Sequence, residues 1–194
     1  MSDTSIDVFI DLPSFPGPVQ AGRLWSHFRK GRESASFEYN KEWLANPHRF
    51  ALEPLLPLAD GTFHTNPGQS VFGAIGDSTP DRWGRILMRR AELARARTAN
   101  ESPHTLSELD YLLRVNDEAR QGALRFSQDG GQSFCAPPGS TPIPPLVNLS
   151  RLLHAADHFC RDDENAEDLR LLLAPGSSLG GARPKASVKD KKGN

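Results

Sequence analysis

Hydrophobic and polar positions follow a two-residue rhythm first and a helical one later. Ile6-Asp7-Val8-Phe9-Ile10-Asp11-Leu12 is a short apolar-rich run, and Pro13-Ser14-Phe15-Pro16-Gly17-Pro18 behind it is turn chemistry. Val19 to Arg29 and Glu33 to Tyr39 predict two more strands. Arg29-Lys30-Gly31-Arg32 joins them as a tight polar connection with the glycine that a hairpin needs. Alternation from Ala35 to Tyr39 puts Ala35, Phe37 and Tyr39 on one face. Between Asn46 and Gly76 neither period holds. Proline, glycine and short apolar pieces such as Leu55-Leu56-Pro57-Leu58 predict irregular chain packed by scattered side chains.

The period lengthens at Thr79. Thr79 reads as a cap, Pro80 as the first helical residue, and Asp81 as a carboxylate at the positive end of the helix dipole. Trp83, Ile86, Leu87 and Leu93 then share a face, with the arginines mostly on the others. Thr105-Leu106-Ser107-Glu108 fits a capping box opening a second helix, with Leu106, Leu109, Leu112 and Leu113 apolar and Val115-Asn116-Asp117 ending it. Gly122 to Phe126 is a strand candidate, and Ala136 to Pro145 a Pro-rich bridge that marks a subdomain boundary. Asn148 is placed to cap a helix through Leu149, Leu152, Leu153 and Ala156. Asn165 starts another over Ala166 to Ala174, ending at Pro175-Gly176. A glycine-rich turn, Gly176 to Lys185, leads into an alternating strand from Ala186 to Asp190. Lys191-Lys192-Gly193-Asn194 resembles a hairpin turn without its returning strand, as in the front part of a longer chain. The fold class expected is α+β.

The chain's 194 residues suit one domain or two small ones. Sixteen glycines and sixteen prolines keep its elements short, which fits neither a coiled coil nor an all-helical bundle. No apolar run approaches the ~18 residues of a membrane span, and MSDTSIDVFID is acidic and lacks a cleavable signal pattern. A cytoplasmic protein is expected. The net charge of −1 argues against a general nucleic-acid binder. It hides a block of +4 over 81–97, one of −4 over 157–170 and one of +4 over 183–194, which read as solvated faces of different elements. Cys135 and Cys160 form no CxxC pair or zinc quartet, so both are expected reduced and structural.

The glycine-rich segment is the most informative stretch. Gly176-Ser177-Ser178-Leu179-Gly180 satisfies G-x-S-x-G, but a nucleophile elbow needs a strand before the serine and a helix after it, the reverse of the order here. Gly176 and Gly181 have Walker A spacing, yet Ala182 stands where the lysine belongs. Two readings stay open: a plain Gly-rich hairpin, and a phosphate-covering loop whose small residues let backbone N–H groups approach a nucleotide, with Arg183 or Lys185 adding charge. His154 and His158 lie four apart on a predicted helix, but Ala155 replaces the glutamate of the zincin pattern and no third ligand converges, so no metal is expected. The arginine-rich helix offers only Trp83 as a stacking aromatic for nucleic acid.

Ser178-Leu179-Gly180-Gly181-Ala182-Arg183-Pro184-Lys185 is similar to the S-[IL]-x-G-A-x-x-K loop of the HipA-like toxins, bacterial serine/threonine kinases of type II toxin–antitoxin systems. Upstream pieces agree in order. Gly22-Arg23-Leu24, Ser36-Phe37-Glu38-Tyr39 and Trp43-Leu44 look like the start of their N-terminal subdomain. Phe72-Gly73 through Pro80-Asp81-Arg82-Trp83-Gly84 resembles the stretch before their arginine-rich helix. Leu109 to Asn116 and Gln121-Gly122-Ala123-Leu124 resemble the next helix and strand start. Pro184 departs from the acidic residue that many relatives carry there.

The resemblance implies a β-rich N-terminal subdomain over 1–136, a bridge over 137–147, and over 148–194 the start of a kinase-like small lobe with its first hairpin arm. It implies a nucleotide-binding loop of Ser178, Leu179, Gly180, Gly181, Ala182, Arg183 and Lys185, with Ser178 as a site of autophosphorylation. ATP and Mg would serve the complete kinase. A HipB-like DNA-binding antitoxin would be the partner, with DNA reached only through it. The family's strand lysine, catalytic Asp and Asn, and metal-binding Asp would lie downstream of Asn194, so these 194 residues alone are expected to be inactive. The rival expectation is a stand-alone, non-catalytic binding module for a separate HipA-like kinase.

Overall fold

A computed structural model describes residues 4–135, 148–176, 181–186 and 188, with backbone alone for 174–176. The Pro-rich bridge, Ser178, Leu179, Gly180 and most of the expected last strand lie outside the described residues. The fold is α+β, and two compact units divide the chain: Met1–Ser78 with Ser107–Leu109 and Gly122–Cys135, and Thr79–Leu106 with Asp110–Gln121 and Ala136–Asn194.

The first unit is built on a five-stranded antiparallel sheet: β1 (Thr4–Ile10), β2 (Val19–Arg29), β3 (Arg32–Tyr39), β4 (Thr62–His64) and β5 (Leu124–Ser127), ordered β4-β3-β2-β1-β5. Lys30 and Gly31 close the β2–β3 hairpin with φ of 50° and 75°. Both turn residues are left-handed, which matches the natural twist of the two strands. Ile6, Val8, Ile10, Leu24, Ala35, Phe37, Tyr39 and Phe126 are buried, so the expected face of β3 is the core face.

Between Val8 and Phe9 the register shifts, and β1 pairs with Gly22 and then Gln20, leaving Ala21 as a bulge. The Ala21 carbonyl accepts instead from the Asn40 N–H at 2.8 Å. Asn40 caps the five-residue α1 (Lys41–Ala45), its side chain accepting from the Glu42 N–H at 3.0 Å. The irregular stretch after α1 is packed as expected. Trp43 is buried edge-on against Phe15 and Phe50, and the Tyr39 hydroxyl donates to the Leu56 carbonyl while accepting from the Leu52 N–H. Two short elements there, β4 and α2 (Gly73–Gly76), break no period long enough to read.

The second unit holds α3 (Arg82–Ala99), α5 (Leu149–Cys160) and α6 (Ala166–Gly176), and the later part of α4 (Glu108–Leu113). Trp83, Leu87, Leu152, Ala155, Phe159, Leu169 and Leu172 form its main core, with the Trp83 and Phe159 rings edge-to-face at 4.8 Å. Several sequence expectations are corrected here. Helix α3 starts with Asp81 as its N-cap, so Pro80 lies outside it and Thr79 does not cap it. The Thr79 hydroxyl accepts from Arg85 at 3.2 Å. Leu93 is exposed, and Met88, Glu92 and Ala96 are buried in its stead. Leu149 and Leu153 are exposed because α5 turns Leu152, Ala155 and Phe159 inward, and the Asn148 side chain makes no cap bond. Asn165 does cap α6, accepting from the Glu167 and Asp168 N–H groups.

Helix α4 begins at Glu108, two residues later than a capping box at Thr105 requires. Its first amides, at Glu108 and Leu109, donate to the Glu33 carboxylate of β3 at 2.9 and 3.2 Å. A carboxylate there matches the positive helix end, but it comes from far away in sequence. Nor are the charge blocks simply solvated faces. Arg90 of α3 donates to Glu164 at 2.8 Å and to Asp162, and lies over the Phe159 ring at 4.0 Å. Among the described residues no helix is long and apolar enough to cross a membrane.

Candidate functional site: the glycine-rich loop on helix α3

Asp81 leaves helix geometry with an extended backbone, while its carbonyl accepts the first intrahelical bond from the Arg85 N–H at 3.0 Å. An N-cap aspartate ordinarily turns its carboxylate onto an amide of the first turn. Here it makes no such cap bond, and accepts from the Gly181 N–H at 2.7 Å. In exchange the Gly181 carbonyl accepts from the Trp83 N–H at 2.9 Å, satisfying one of the helix's orphan donors. A third bond runs from the Trp83 indole N–H to the Lys185 carbonyl at 3.2 Å. The loop residue and the helix N-terminus therefore cap each other.

Gly181 has a φ of +93°, open to glycine and strained for other residues. A Cβ there would also meet the Lys185 Nζ at 3.0 Å. Beyond the seam, Ala182, Arg183, Pro184 and Lys185 are exposed, and Ala186 and Val188 are partly buried against the Trp83 core. Of the residues expected to bind nucleotide, Gly181 and Lys185 are bonded to the start of α3, and Ala182 and Arg183 are exposed between them. Ser178, Leu179 and Gly180 lie outside the described residues. From the sequence, Asp81 has a dipole role, and Trp83 is a packing residue and the helix's stacking aromatic. The signal for more was Asp81 as the best N-cap residue immediately before a helix-periodic run.

The other candidates are engaged in structure. His158 Nδ1 lies 3.0 Å from Asp168 Oδ2, and that carboxylate raises the histidine's affinity for its proton. His154 is exposed, and among the described residues no cluster of His, Cys, Asp and Glu is arranged to hold a metal. On α3, Arg85 donates to the Pro80 carbonyl at 2.8 Å and lies 4.6 Å from the Tyr111 ring centroid. Glu92 is buried among Arg95, Arg114 and the His104 N–H. Its hydrogen bonds to Arg95 lead in holding its carboxyl down to about 2, against the opposing effect of burial. Cys135 is half-buried and Cys160 exposed, and neither forms a disulfide among the described residues.

The HipA N-terminal domain family matches residues 17–127, more than half of the chain. The chain belongs to this family. In HipA-like terms, the matched part runs from the start of β2 through α3 to the end of β5. The glycine-rich loop lies beyond the matched residues. No curated protein matches the chain.

Proposed function

We propose that this HipA-like chain forms the N-terminal part of a serine/threonine protein kinase toxin and carries its nucleotide-covering loop. The HipA N-terminal domain match carries the reading. The loop residues Gly181, Arg183 and Lys185 beside the N-terminus of α3 are compatible with it. In this reading residues 1–136 form the N-terminal subdomain, 137–147 a bridge, and 148–194 the start of a kinase-like small lobe. The complete kinase uses ATP and Mg, with backbone amides of 178–182 on the phosphates and Arg183 and Lys185 contributing positive charge. A HipB-like DNA-binding antitoxin neutralises it, and DNA is contacted through that partner.

Ser178 is the regulatory position. A phosphate there adds roughly −2 charges beside the nucleotide phosphates and opposes their binding. The test is an ATP–Mg titration of the complete gene product, unmodified and phosphorylated on Ser178. The reading predicts binding that weakens on phosphorylation; equal affinity of the two forms contradicts the regulatory role. Failure of the unmodified protein to bind contradicts the nucleotide site itself.

A second reading draws on the reach of the match, which stops at residue 127, before the loop. It makes the chain a non-catalytic module that binds a separate HipA-like kinase. That reading predicts cooperative folding of the 194 residues alone and tight binding to such a kinase.

A further inference from the structure

We propose that Asp81 is a competitive latch on the glycine-rich loop: its carboxylate occupies the Gly181 amide that a bound phosphate would need. The proposal rests on the nucleotide-loop reading above and adds its regulation. In the observed state the Gly181 N–H donates to Asp81 at 2.7 Å, and the Trp83 N–H donates to the Gly181 carbonyl at 2.9 Å. Asp81 is already the N-cap, and its side chain makes no bond to its own helix.

An alternative partnering therefore costs the helix nothing in hydrogen bonds. If the carboxylate swings back onto the first-turn amides, it caps α3 in the ordinary way, and the Trp83 N–H no longer needs the Gly181 carbonyl. The Gly181 N–H is then released to an anionic ligand. Both arrangements satisfy the Trp83 donor, and an anionic ligand supplies the Gly181 partner that the released one lacks, so a ligand that binds only the released arrangement draws the population towards it. Its apparent affinity falls by the fraction of molecules already released, so weakening the latch tightens binding. This direction separates a latch from a structural prop, because loss of a prop weakens binding.

The experiment compares the complete gene product with its Asp81→Ser and Asp81→Asn variants. Serine keeps a good N-cap for α3, but its hydroxyl is too short to replace the carboxylate on Gly181. Asparagine keeps an acceptor oxygen at the same reach and loses only the charge. Amide hydrogen exchange across Gly181 and titration with ATP–Mg are read on each. The expected result is faster exchange in Asp81→Ser and nucleotide binding tighter by about fivefold, the factor for losing one cap-strength hydrogen bond. Asp81→Asn stays close to the unsubstituted protein in both. Unchanged exchange in Asp81→Ser overturns the latch, as does equal tightening in Asp81→Asn, which would make charge the cause. Faster exchange with unchanged or weaker ATP–Mg binding overturns the competition while leaving the nucleotide site standing. Faster exchange with no ATP–Mg binding by any form overturns the nucleotide reading, and the competition with it.

Discussion

Gly22 sits where β2 passes the bulge at Ala21, and a Cβ there would meet the Glu38 carbonyl oxygen at 2.2 Å and the Phe37 ring at 2.4 Å. Backbone on one side and a fully buried ring on the other leave nothing flexible to give way. Gly22→Ala is therefore expected to cost about 3 kcal/mol by overpacking, read as a fall in the denaturant midpoint; an unchanged midpoint would show that the sheet relaxes freely there. Glu92 works through charge instead. Its carboxyl titrates near 4.5 when unfolded and at about 2 when folded, because Arg95, Arg114 and the His104 amide favour its charged form. A depressed value means that its stabilisation is complete above the unfolded value and is lost as pH falls through 4.5 towards 2. Glu92→Gln should flatten acid unfolding in that window and lower stability at neutral pH by about 2 kcal/mol, less than for a fully enclosed pair because Arg95 is half exposed. Equal acid sensitivity in the two proteins would contradict this.

Elements in this chain are often ended or faced by residues distant in sequence, and that sets what could be read in advance. The β2–β3 hairpin was legible because Lys30-Gly31 is local turn chemistry between two alternating runs, and the Asn165 start of α6 is equally local. The start of α4 was not, because its first amides are held by Glu33 rather than by a neighbour. Glu33→Ala should cost about 1 kcal/mol, the value of a lost cap, with faster amide exchange at Glu108 and Leu109. Unchanged exchange there would show the cap to be idle. On α5, four leucine and alanine positions fit one helical face equally well on paper. The packing of Leu152, Ala155 and Phe159 against α3 and α6 decides it. Leu152→Ala is thus expected to cost about 3 kcal/mol and Leu153→Ala under about 0.5 kcal/mol. Similar losses in thermal melts of the two variants would reverse the assigned face.

At the scale of the whole molecule, the near-zero net charge conceals opposite blocks that meet within one compact unit. Arg90 brings the basic α3 onto Asp162 and Glu164 of the acidic stretch. Such pairing is invisible when charge is counted along the chain, since partners seventy-odd positions apart look like two separate solvated faces. The glycine-rich loop shows the same limit. Its residue types fit both a plain hairpin and a phosphate-covering loop, and its attachment to the start of α3 through Asp81 and Trp83 exists only in three dimensions. The proposed kinase role of the loop has a direct test. That test is to incubate the complete gene product with ATP and Mg and map phosphate by mass spectrometry. The expected result is phosphate from ATP on Ser178 and, separately, on serine or threonine of an added protein substrate; no incorporation anywhere, with ATP left intact, would contradict it.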